Sequence, residues 1–240
     1  MDSPVGLAGR GLLQSSEEWD VRNRTLSETL HRLAERHLLN TSERGLDVGC
    51  QGGALTDYLN AHMAMEWEGI DPILTESTKS PEGATLHSAY ADAIPYPDRH
   101  FGCILLANVF EHIPPDQRTA SFKEMYRVRE PGGIIVGQIP NPYFPIESHS
   151  RLPFMGWLPI RAQKLYWRLS PVPWEHDFFV VTMRQLRASA DQLGYRTVYV
   201  SNFNYPAEVV PQALRTAWRL LERPMRRMPW AWQFVLQRSD

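Results

Sequence analysis

Residues 44–53, with the sequence Arg-Gly-Leu-Asp-Val-Gly-Cys-Gln-Gly-Gly, most constrain the fold of this chain. Leu46 and Val48 flank an acidic residue and are typical of a short buried strand. The glycines that follow lack a side chain, so the backbone can turn sharply and approach a ligand closely. Leu55 and Leu59 lie four residues apart, as on one face of a helix. Strand, glycine-rich turn and helix in this order begin a nucleotide-binding α/β unit, which binds its ligand at the carboxyl edge of the sheet.

The spacing of these glycines argues against a cofactor that contains a pyrophosphate. A dinucleotide site has the pattern G-x-G-x-x-G, but counting from Gly49 the second and third positions are Gln51 and Ala54. Asp47 precedes the turn, where a carboxylate is poorly placed beside phosphates and well placed to attract a cation. S-adenosylmethionine (SAM) carries an ammonium and a sulfonium group and no phosphate, so it fits this turn better. A turn that only connects the strand to the helix is the alternative.

A second acidic residue follows at the spacing that a ribose-binding site requires. Residues 65–72 predict a strand that ends at Asp71, 24 residues after Asp47, with Pro72 next to it. A carboxylate about 20 residues beyond the glycine turn can accept hydrogen bonds from both ribose hydroxyls. The alternative for Asp71 is a residue that only forms an Asp-Pro turn.

The next segments predict the remaining contacts of the cofactor. Asp92 lies in a proline-limited loop, where it is placed to accept from the adenine amino group, and the amide of Ala93 is placed to donate to a ring nitrogen. Asp92 as a simple loop residue is the alternative. Residues 103–107 are continuously apolar, which indicates a strand buried on both faces. Asn108 ends this strand, so we expect it beside the sulfonium.

These segments together resemble class I SAM-dependent methyltransferases, in particular the type 11 family that is similar to ubiquinone and menaquinone biosynthesis enzymes. Motif I of that class, D-x-G-x-G-x-G, is matched except at Gln51, and the Glu-His pair at 111–112 and Arg-Val-x-x-Pro-Gly-Gly at 127–133 are further similarities. The resemblance implies SAM as the cofactor. The residues assigned to it are Asp47, Gly49, Cys50, Gly53, Asp71, Pro72, Asp92, Ala93 and Asn108.

The resemblance also implies an α/β Rossmann-like fold. We expect a seven-stranded, mainly parallel sheet with helices on both faces and an antiparallel last strand. Residues 1–40 would form an N-terminal arm and helix, and 41–240 the methyltransferase domain, with a substrate lid at 140–180 and a basic-aromatic insertion at 203–229. Apolar periodicity predicts helices over 16–39, 117–128, 182–193 and 207–221, and strands over 134–139, 197–200 and 230–237.

The predicted lid contains the candidate catalytic groups. Its aromatic side chains would exclude water, which favours methyl transfer from a sulfonium. His149 and His176 are candidate general bases, with Glu147 or Glu175 placed to orient one of them, and His112 is a third candidate. A structural role is equally open for His149 and His176, and for His112 packing under the following helix is the favoured alternative. We predict no metal, because the Glu and His spacings match none of the usual ligand motifs.

Composition excludes several classes of protein. The net charge of -2 does not indicate a nucleic-acid partner. Cys50 and Cys103 are too few for a disulfide framework. The absence of an apolar run of about 18 residues and of a secretory signal predicts a cytoplasmic enzyme. For the basic-aromatic helix, a solvated face with a packed tryptophan is favoured over contact with an anionic membrane.

We therefore expect a SAM-dependent methyltransferase that methylates an oxygen, in a hydroxyl or a carboxylate, of a small, partly apolar acceptor that is aromatic or lipid-like. The alternatives are N- or C-methylation of a small molecule or a lipid-linked substrate, a nucleotide-dependent oxidoreductase, and a catalytically silent SAM-fold partner protein. The sequence does not predict an oligomeric state.

Overall fold

A mixed sheet of eight strands forms the centre of the protein. The computed structural model describes residues 16–37, 43–150, 152–170, 178–209, 212, 215–225 and 227–238. The strands are β1 (Arg44–Val48), β2 (Glu66–Ile70), β3 (Thr78–Lys79), β4 (Thr85–His87), β5 (Phe101–Ala107), β6 (Arg129–Pro140), β7 (Tyr195–Phe203) and β8 (Ala231–Arg238). The α-helices are α1 (Ser16–His37), α2 (Ala54–His62), α3 (Arg118–Val128), α4 (Ile160–Tyr166), α5 (Met183–Asp191) and α6 (Arg215–Met225).

The strand order is β3-β4-β2-β1-β5-β6-β8-β7. Strands β4, β2, β1, β5 and β6 pair in parallel, whereas β8 is antiparallel to both of its neighbours, β6 and β7. The predicted sheet, mainly parallel with its last strand reversed, is confirmed. The strand count is eight instead of seven because β3 pairs with β4 at one edge. A strand of two residues is too short to leave a periodic pattern in the sequence.

Helices cover both faces of the sheet, as predicted. Successive residues of β5 point to opposite faces, so that Ile104 packs in one apolar cluster with Phe122 of α3, and Leu105 packs in the other with Leu30 of α1 and Leu59 of α2. The N-terminal helix is therefore part of the core. No helix among the described residues combines the length and the apolar character that crossing a bilayer requires.

Several predicted boundaries were wrong. Strand β6 begins at Arg129 and not at 134, because the Glu-Pro-Gly-Gly segment continues the strand through an irregular stretch of its pairing with β5. Strand β7 extends from Tyr195 to Phe203, since pairing with β8 along this length extends it beyond the apolar pattern. Where a helix was predicted over 207–221, the structure describes a 3₁₀ turn, Ala207–Val209, and α6, which continues to Met225; residues 210, 211, 213 and 214 lie outside the described residues.

The start of α5 is a capping box, as the position of Thr182 predicts. The Thr182 hydroxyl accepts a hydrogen bond from the Gln185 backbone N–H at 3.3 Å, and the Gln185 side chain accepts one from the Thr182 backbone N–H at 2.9 Å. The box satisfies the Thr182 N–H and gives the Gln185 N–H a second acceptor besides the Thr182 carbonyl, to which it donates at 3.0 Å.

We expect Thr182→Ala to lower the free energy of unfolding by about 1 kcal/mol, because the cap loses its acceptor. Urea unfolding followed by circular dichroism measures the change. Thr182→Ser retains the hydroxyl and is the matched control. Equal unfolding midpoints for the alanine variant and the native protein would contradict this account of the cap.

Candidate active site at the carboxyl edge of the sheet

Asp47 is an acidic residue buried in the sheet near the end of β1. Its side chain is 1% exposed, and its Oδ2 accepts a hydrogen bond from Thr56 Oγ1 at 2.8 Å. Burial raises the pKa of the Asp47 carboxyl to about 7; the bond from Thr56 opposes this shift and the nearby charge of Asp71 adds to it. A cation bound beside Asp47 would lower the pKa of this carboxyl and favour its ionised form. The charge of Asp47 therefore depends on whether a cation is bound at this edge.

The turn after β1 uses left-handed backbone at Gly49, Gln51 and Gly53, with φ of 80°, 50° and 83°. Gln51 thus adopts, without being glycine, the conformation that a glycine takes at low cost, and this strain costs roughly 1 kcal/mol. Its side chain is exposed. The amides of Gly49 and Cys50 both donate to the Ile70 carbonyl, at 2.8 and 3.1 Å, so the turn is fixed to the end of β2.

Gly49 is also required by its surroundings. A Cβ added there would lie 2.3 Å from Cγ2 of Val109, in the turn after β5. A side chain there would displace Val109 and would also strain the backbone at φ of 80°, so this glycine lets the turns after β1 and β5 approach each other.

Asp71 connects the turns that follow β1 and β2. Its Oδ2 accepts from the Gln51 backbone N–H and its Oδ1 from the Ile73 backbone N–H, each at 2.9 Å. The side chain is 7% exposed, and Pro72 beside it is exposed. Two backbone donors therefore hold the carboxylate in one orientation at the carboxyl edge.

The loop predicted to contact adenine is held by α3. Arg127 donates to the Ile94 carbonyl at 2.8 Å, which anchors the loop after β4. Asp92 is half-buried, and the Ala93 N–H donates to the Tyr90 carbonyl at 3.1 Å. The Ala93 amide is therefore engaged within the loop and would have to share that bond to serve a ring nitrogen.

Asn108 is the first member of a polar network that sequence reasoning missed. It adopts φ of 57°, and its Oδ1 accepts from Gln138 Nε2 of β6 at 3.2 Å. Gln138 Oε1 accepts from Gln233 Nε2 of β8 at 3.1 Å, and Gln233 Nε2 also donates to Thr29 Oγ1 of α1 at 2.8 Å. A glutamine inside the apolar run Ile-Ile-Val-Gly-Gln-Ile was the available indication, since buried polar side chains need partners.

Glu147 orients His149 in the segment that follows β6. The Glu147 side chain, 3% exposed, accepts from His149 Nδ1 at 2.7 Å, from the His149 backbone N–H at 3.0 Å and from the Ser150 backbone N–H at 2.6 Å. Burial by itself would raise the pKa of the Glu147 carboxyl, but His149 and the backbone donors outweigh burial and hold that pKa at about 2. The imidazole is thereby fixed with Nε2 directed away from Glu147.

Glu111, a second buried glutamate, lies on the other side of the His149 ring. Its Oε1 is 3.8 Å from His149 Nε2, and the centroids of the His112 and His149 rings are 5.2 Å apart. Glu111 is 1% exposed, and its carboxylate oxygens accept no hydrogen bond from the residues that the structure describes. Burial raises the pKa of this carboxyl.

One cavity is lined both by the polar network that begins at Asn108 and by Glu111 and His149. Its walls include Asn108, Gln138, Glu111, His149 and Tyr205, and it encloses about 40 Å³, which is room for a few water molecules. His112 and His149 thus lie close together, as two of the three predicted catalytic histidines. The third, His176, lies outside the described residues, as does Glu175.

A parallel sheet with acidic residues and a glycine turn at its carboxyl edge is typical of α/β proteins that bind nucleotides or nucleoside-containing cofactors. A family model described as a methyltransferase domain matches residues 19–200. The chain belongs to this methyltransferase domain family, and it is a SAM-dependent methyltransferase. Family membership rejects the oxidoreductase alternative.

Similar proteins agree with this assignment. The ubiquinone/menaquinone biosynthesis C-methyltransferase of Neisseria meningitidis serogroup B is 25% identical over 223 residues, which cover 82% of this chain and 89% of that protein. Solved SAM-dependent methyltransferases from Archaeoglobus fulgidus and Mesorhizobium loti have the same fold. Their TM-scores are 0.57 and 0.59 at 16% and 17% identity, over 91% and 89% of this chain and 96% and 100% of theirs.

The raised pKa of the Asp47 carboxyl predicts how the stability of the protein changes with pH. Between pH 5 and pH 7 this carboxyl is ionised in the unfolded chain and protonated in the folded protein, so rising pH favours unfolding through this group. Asp47→Asn cannot ionise. We expect the unfolding free energy of the variant to rise relative to the native protein by about 2 kcal/mol over this range.

Urea unfolding of both proteins at pH 5, 6 and 7 measures this difference. Asp116→Asn, at an exposed position in the turn before α3, is the matched control. If the difference between native protein and Asp47→Asn does not change with pH, the carboxyl is ionised throughout and the assignment of a raised pKa is incorrect.

Proposed function

We propose that this methyltransferase transfers the methyl group of SAM to an oxygen of a small, partly apolar acceptor, and that this oxygen belongs to a hydroxyl. The observation that carries the proposal is the position of His149. Its ring is held by Glu147 at 2.7 Å, and it lies on the cavity that Asn108 lines at the end of β5. These positions support a role for His149 in assisting loss of the acceptor proton beside the proposed sulfonium site.

Three acidic residues would hold the cofactor. Asp47 attracts the methionine ammonium, Asp71 accepts from the ribose hydroxyls and Asp92 accepts from the adenine amino group. Asp71 has the strongest support, because its two backbone donors leave further lone pairs of a fixed carboxylate for the two hydroxyls. The turn and edge residues that complete this cofactor site are Gly49, Cys50, Gly53, Pro72, Ala93 and Asn108.

The transfer would be an in-line displacement on the methyl carbon. The acceptor oxygen forms the new bond to carbon, the bond from carbon to sulfur breaks, and S-adenosylhomocysteine leaves without the positive charge of the sulfonium. The acceptor hydroxyl loses its proton to the His149 side chain or to water in the course of this step. A site that excludes water and holds both reactants in line supplies much of the rate enhancement.

Segment 140–180 would act as the substrate lid. The cavity volume of about 40 Å³ is too small for an acceptor, so a wall must move when the acceptor enters. Trp230 lines the cavity; Phe144 stacks on Trp230 with ring centroids 5.0 Å apart, and the ring of Trp218 of α6 lies 6.0 Å from that of Phe144. This packing joins the lid to the insertion at 203–229 and supports a packed role for its tryptophan over membrane contact.

The N-terminal helix would complete the enclosure. Arg22 of α1 lines the cavity, and its guanidinium lies 5.5 Å from the centroid of the Tyr205 ring. A cation at this position is suited to a carboxylate such as that of the methionine part of SAM. The position of Arg22 supports the proposed domain boundaries, with an N-terminal arm and helix in residues 1–40 and the methyltransferase domain in residues 41–240.

Two observations bear on the type of acceptor atom. The His149–Glu147 pair favours a hydroxyl, because a hydroxyl must lose a proton during the transfer and an ionised carboxylate need not. C-methylation is the second candidate, because the Neisseria relative is named a C-methyltransferase.

A matched set of one-ring aromatic acceptors tests the proposal. Each carries a phenol, a carboxyl, an amine or a nucleophilic ring carbon, and each is incubated with methyl-labelled SAM. We expect label on the phenol oxygen. His149→Ala should reduce this turnover about 100-fold or more while SAM affinity is retained, and His62→Ala is the control. Label on a ring carbon alone, or full turnover by His149→Ala, would overturn the proposal.

For the cofactor, we expect Asp71→Ala to weaken SAM binding by about 1–3 kcal/mol, because charge-assisted hydrogen bonds to the ribose are lost. Titration calorimetry with SAM measures the change, and Asp116→Ala is the matched control. Native affinity in a folded Asp71→Ala protein would remove Asp71 from the cofactor site.

A further inference from the structure

We propose that Glu111, His112 and His149, here called the Glu-His cluster, bind one divalent transition-metal ion that in turn binds the acceptor oxygen. This inference rests on the proposed O-methylation, and it adds how the acceptor hydroxyl is activated. The three side chains come from two segments, the turn after β5 and the segment after β6, which the parallel pairing of β5 and β6 brings together.

The distances within the cluster fit ligands of one ion. The ligand atoms of the three residues all lie within 4.8 Å of one another. His149 Nε2 and Glu111 Oε1 are 3.8 Å apart, which is too long for a hydrogen bond. Zinc bonds of about 2.0–2.1 Å at a tetrahedral angle place two ligand atoms about 3.4 Å apart. The observed separation is therefore close to that of two atoms bridged by a metal.

The carboxylate of Glu111 supplies an independent argument. It is 1% exposed, and neither of its oxygens accepts a hydrogen bond from the described residues. Arg118 is the neighbouring cation and interacts electrostatically with Glu111, but its Nε donates to the Ile113 carbonyl at 3.0 Å and it makes no hydrogen bond to the Glu111 carboxylate among the described residues. A buried carboxylate without hydrogen bonds is costly unless a cation is bound to it. Glu111 also lines the cavity, so a bound cation at its carboxylate would lie next to that space.

Glu147 prepares His149 for metal binding. Histidine ligands usually donate their other ring N–H to a carboxylate, which fixes the tautomer and the orientation of the ring. The contact of 2.7 Å between His149 Nδ1 and Glu147 Oε1 is of this kind, and it leaves Nε2 as the ligand atom. Glu147 is therefore a positioning residue in this proposal.

The composition of the cluster selects the class of metal. Imidazole suits Zn²⁺, Fe²⁺, Co²⁺ and related ions, whereas Mg²⁺ and Ca²⁺ prefer sites made of oxygen ligands alone. Two imidazoles and one carboxylate leave at least one coordination position open, as in catalytic sites. Glu111 and His149 both line the cavity, so an open position would face the space that the acceptor must enter.

The bound ion would activate the acceptor by withdrawing charge. Held by Glu111, His112 and His149, the ion would act as a Lewis acid on the acceptor hydroxyl, lower its pKa and so ease loss of its proton to water. The transfer itself would remain the in-line displacement described above, in which the new carbon–oxygen bond forms as the carbon–sulfur bond breaks and S-adenosylhomocysteine leaves. His149 acts through the ion in this state, because its Nε2 is a ligand.

Metal binding is tested directly on the full chain. The protein is treated with a chelator, dialysed and titrated with Zn²⁺, Mn²⁺, Co²⁺ or Mg²⁺ by calorimetry, and the Co²⁺ form is examined by its visible absorption spectrum. We expect one Zn²⁺ or Co²⁺ ion per chain and no comparable binding of Mg²⁺. A visible cobalt spectrum would report nitrogen and oxygen ligands.

Variants separate this site from adventitious surface binding. Glu111→Gln retains the shape of the side chain and should abolish high-affinity binding, as should His149→Ala. Glu147→Gln should weaken binding about 10- to 100-fold without abolishing it. His62→Ala, outside the cluster, is the control and should bind as the native protein does. Equal binding by the native protein and Glu111→Gln, or no binding by the native protein, would overturn the proposal.

Activity and SAM binding distinguish failure of this inference from failure of the proposed function. Full phenol methylation by the chelator-treated protein would overturn the role of the metal and leave O-methylation standing. Metal binding at the cluster together with methylation of a ring carbon alone would support the metal site and contradict O-methylation. SAM affinity measured on Glu111→Gln shows that the variant is folded, since none of the proposed cofactor contacts is removed.

Discussion

Parallel pairing of β4, β2, β1, β5 and β6 is the constraint on which the site depends. Parallel strands end at one edge, so residues far apart in sequence meet there without any dedicated connection. Hydrogen bonds then connect neighbouring turns at this edge. The Asp71 side chain accepts from backbone N–H groups of two turns, and the Ile70 carbonyl accepts from the N–H groups of Gly49 and Cys50. The edge is therefore held as one connected unit, and a ligand meets side chains that are already oriented.

Features that depend on a continuous segment could be predicted from the sequence. The glycine turn, the strand that ends at Asp71 and the cap at Thr182 each follow from residues within a few positions of one another. The order of such segments sufficed to predict the fold and the family. Gln51 was the one departure within motif I, and the structure accommodates it by left-handed backbone instead of by a change in the course of the chain.

Features that depend on pairing between distant segments could not be predicted. The contact between Glu111 and His149 and the network through Gln138 arise from strand register, which a single sequence does not reveal. Ligand spacing along the chain gave no indication of a metal because Glu111 and His149 lie on separate segments. The early start of β6 has the same origin, since partner strands and not local propensity determine where a strand begins.

The contact between α1 and β8 has a consequence for how the chain folds during synthesis. Thr29 of the first helix bonds to Gln233 of the last strand, 204 residues further on. The helix emerges early from the ribosome, but this partner emerges late. Strands β1 to β6 can assemble in the interval, because their pairings lie within the first 140 residues. The first helix can already pack against α2, β5 and β6 at this stage, but the part of the cavity wall that Ala231 forms is added only when β8 has been translated.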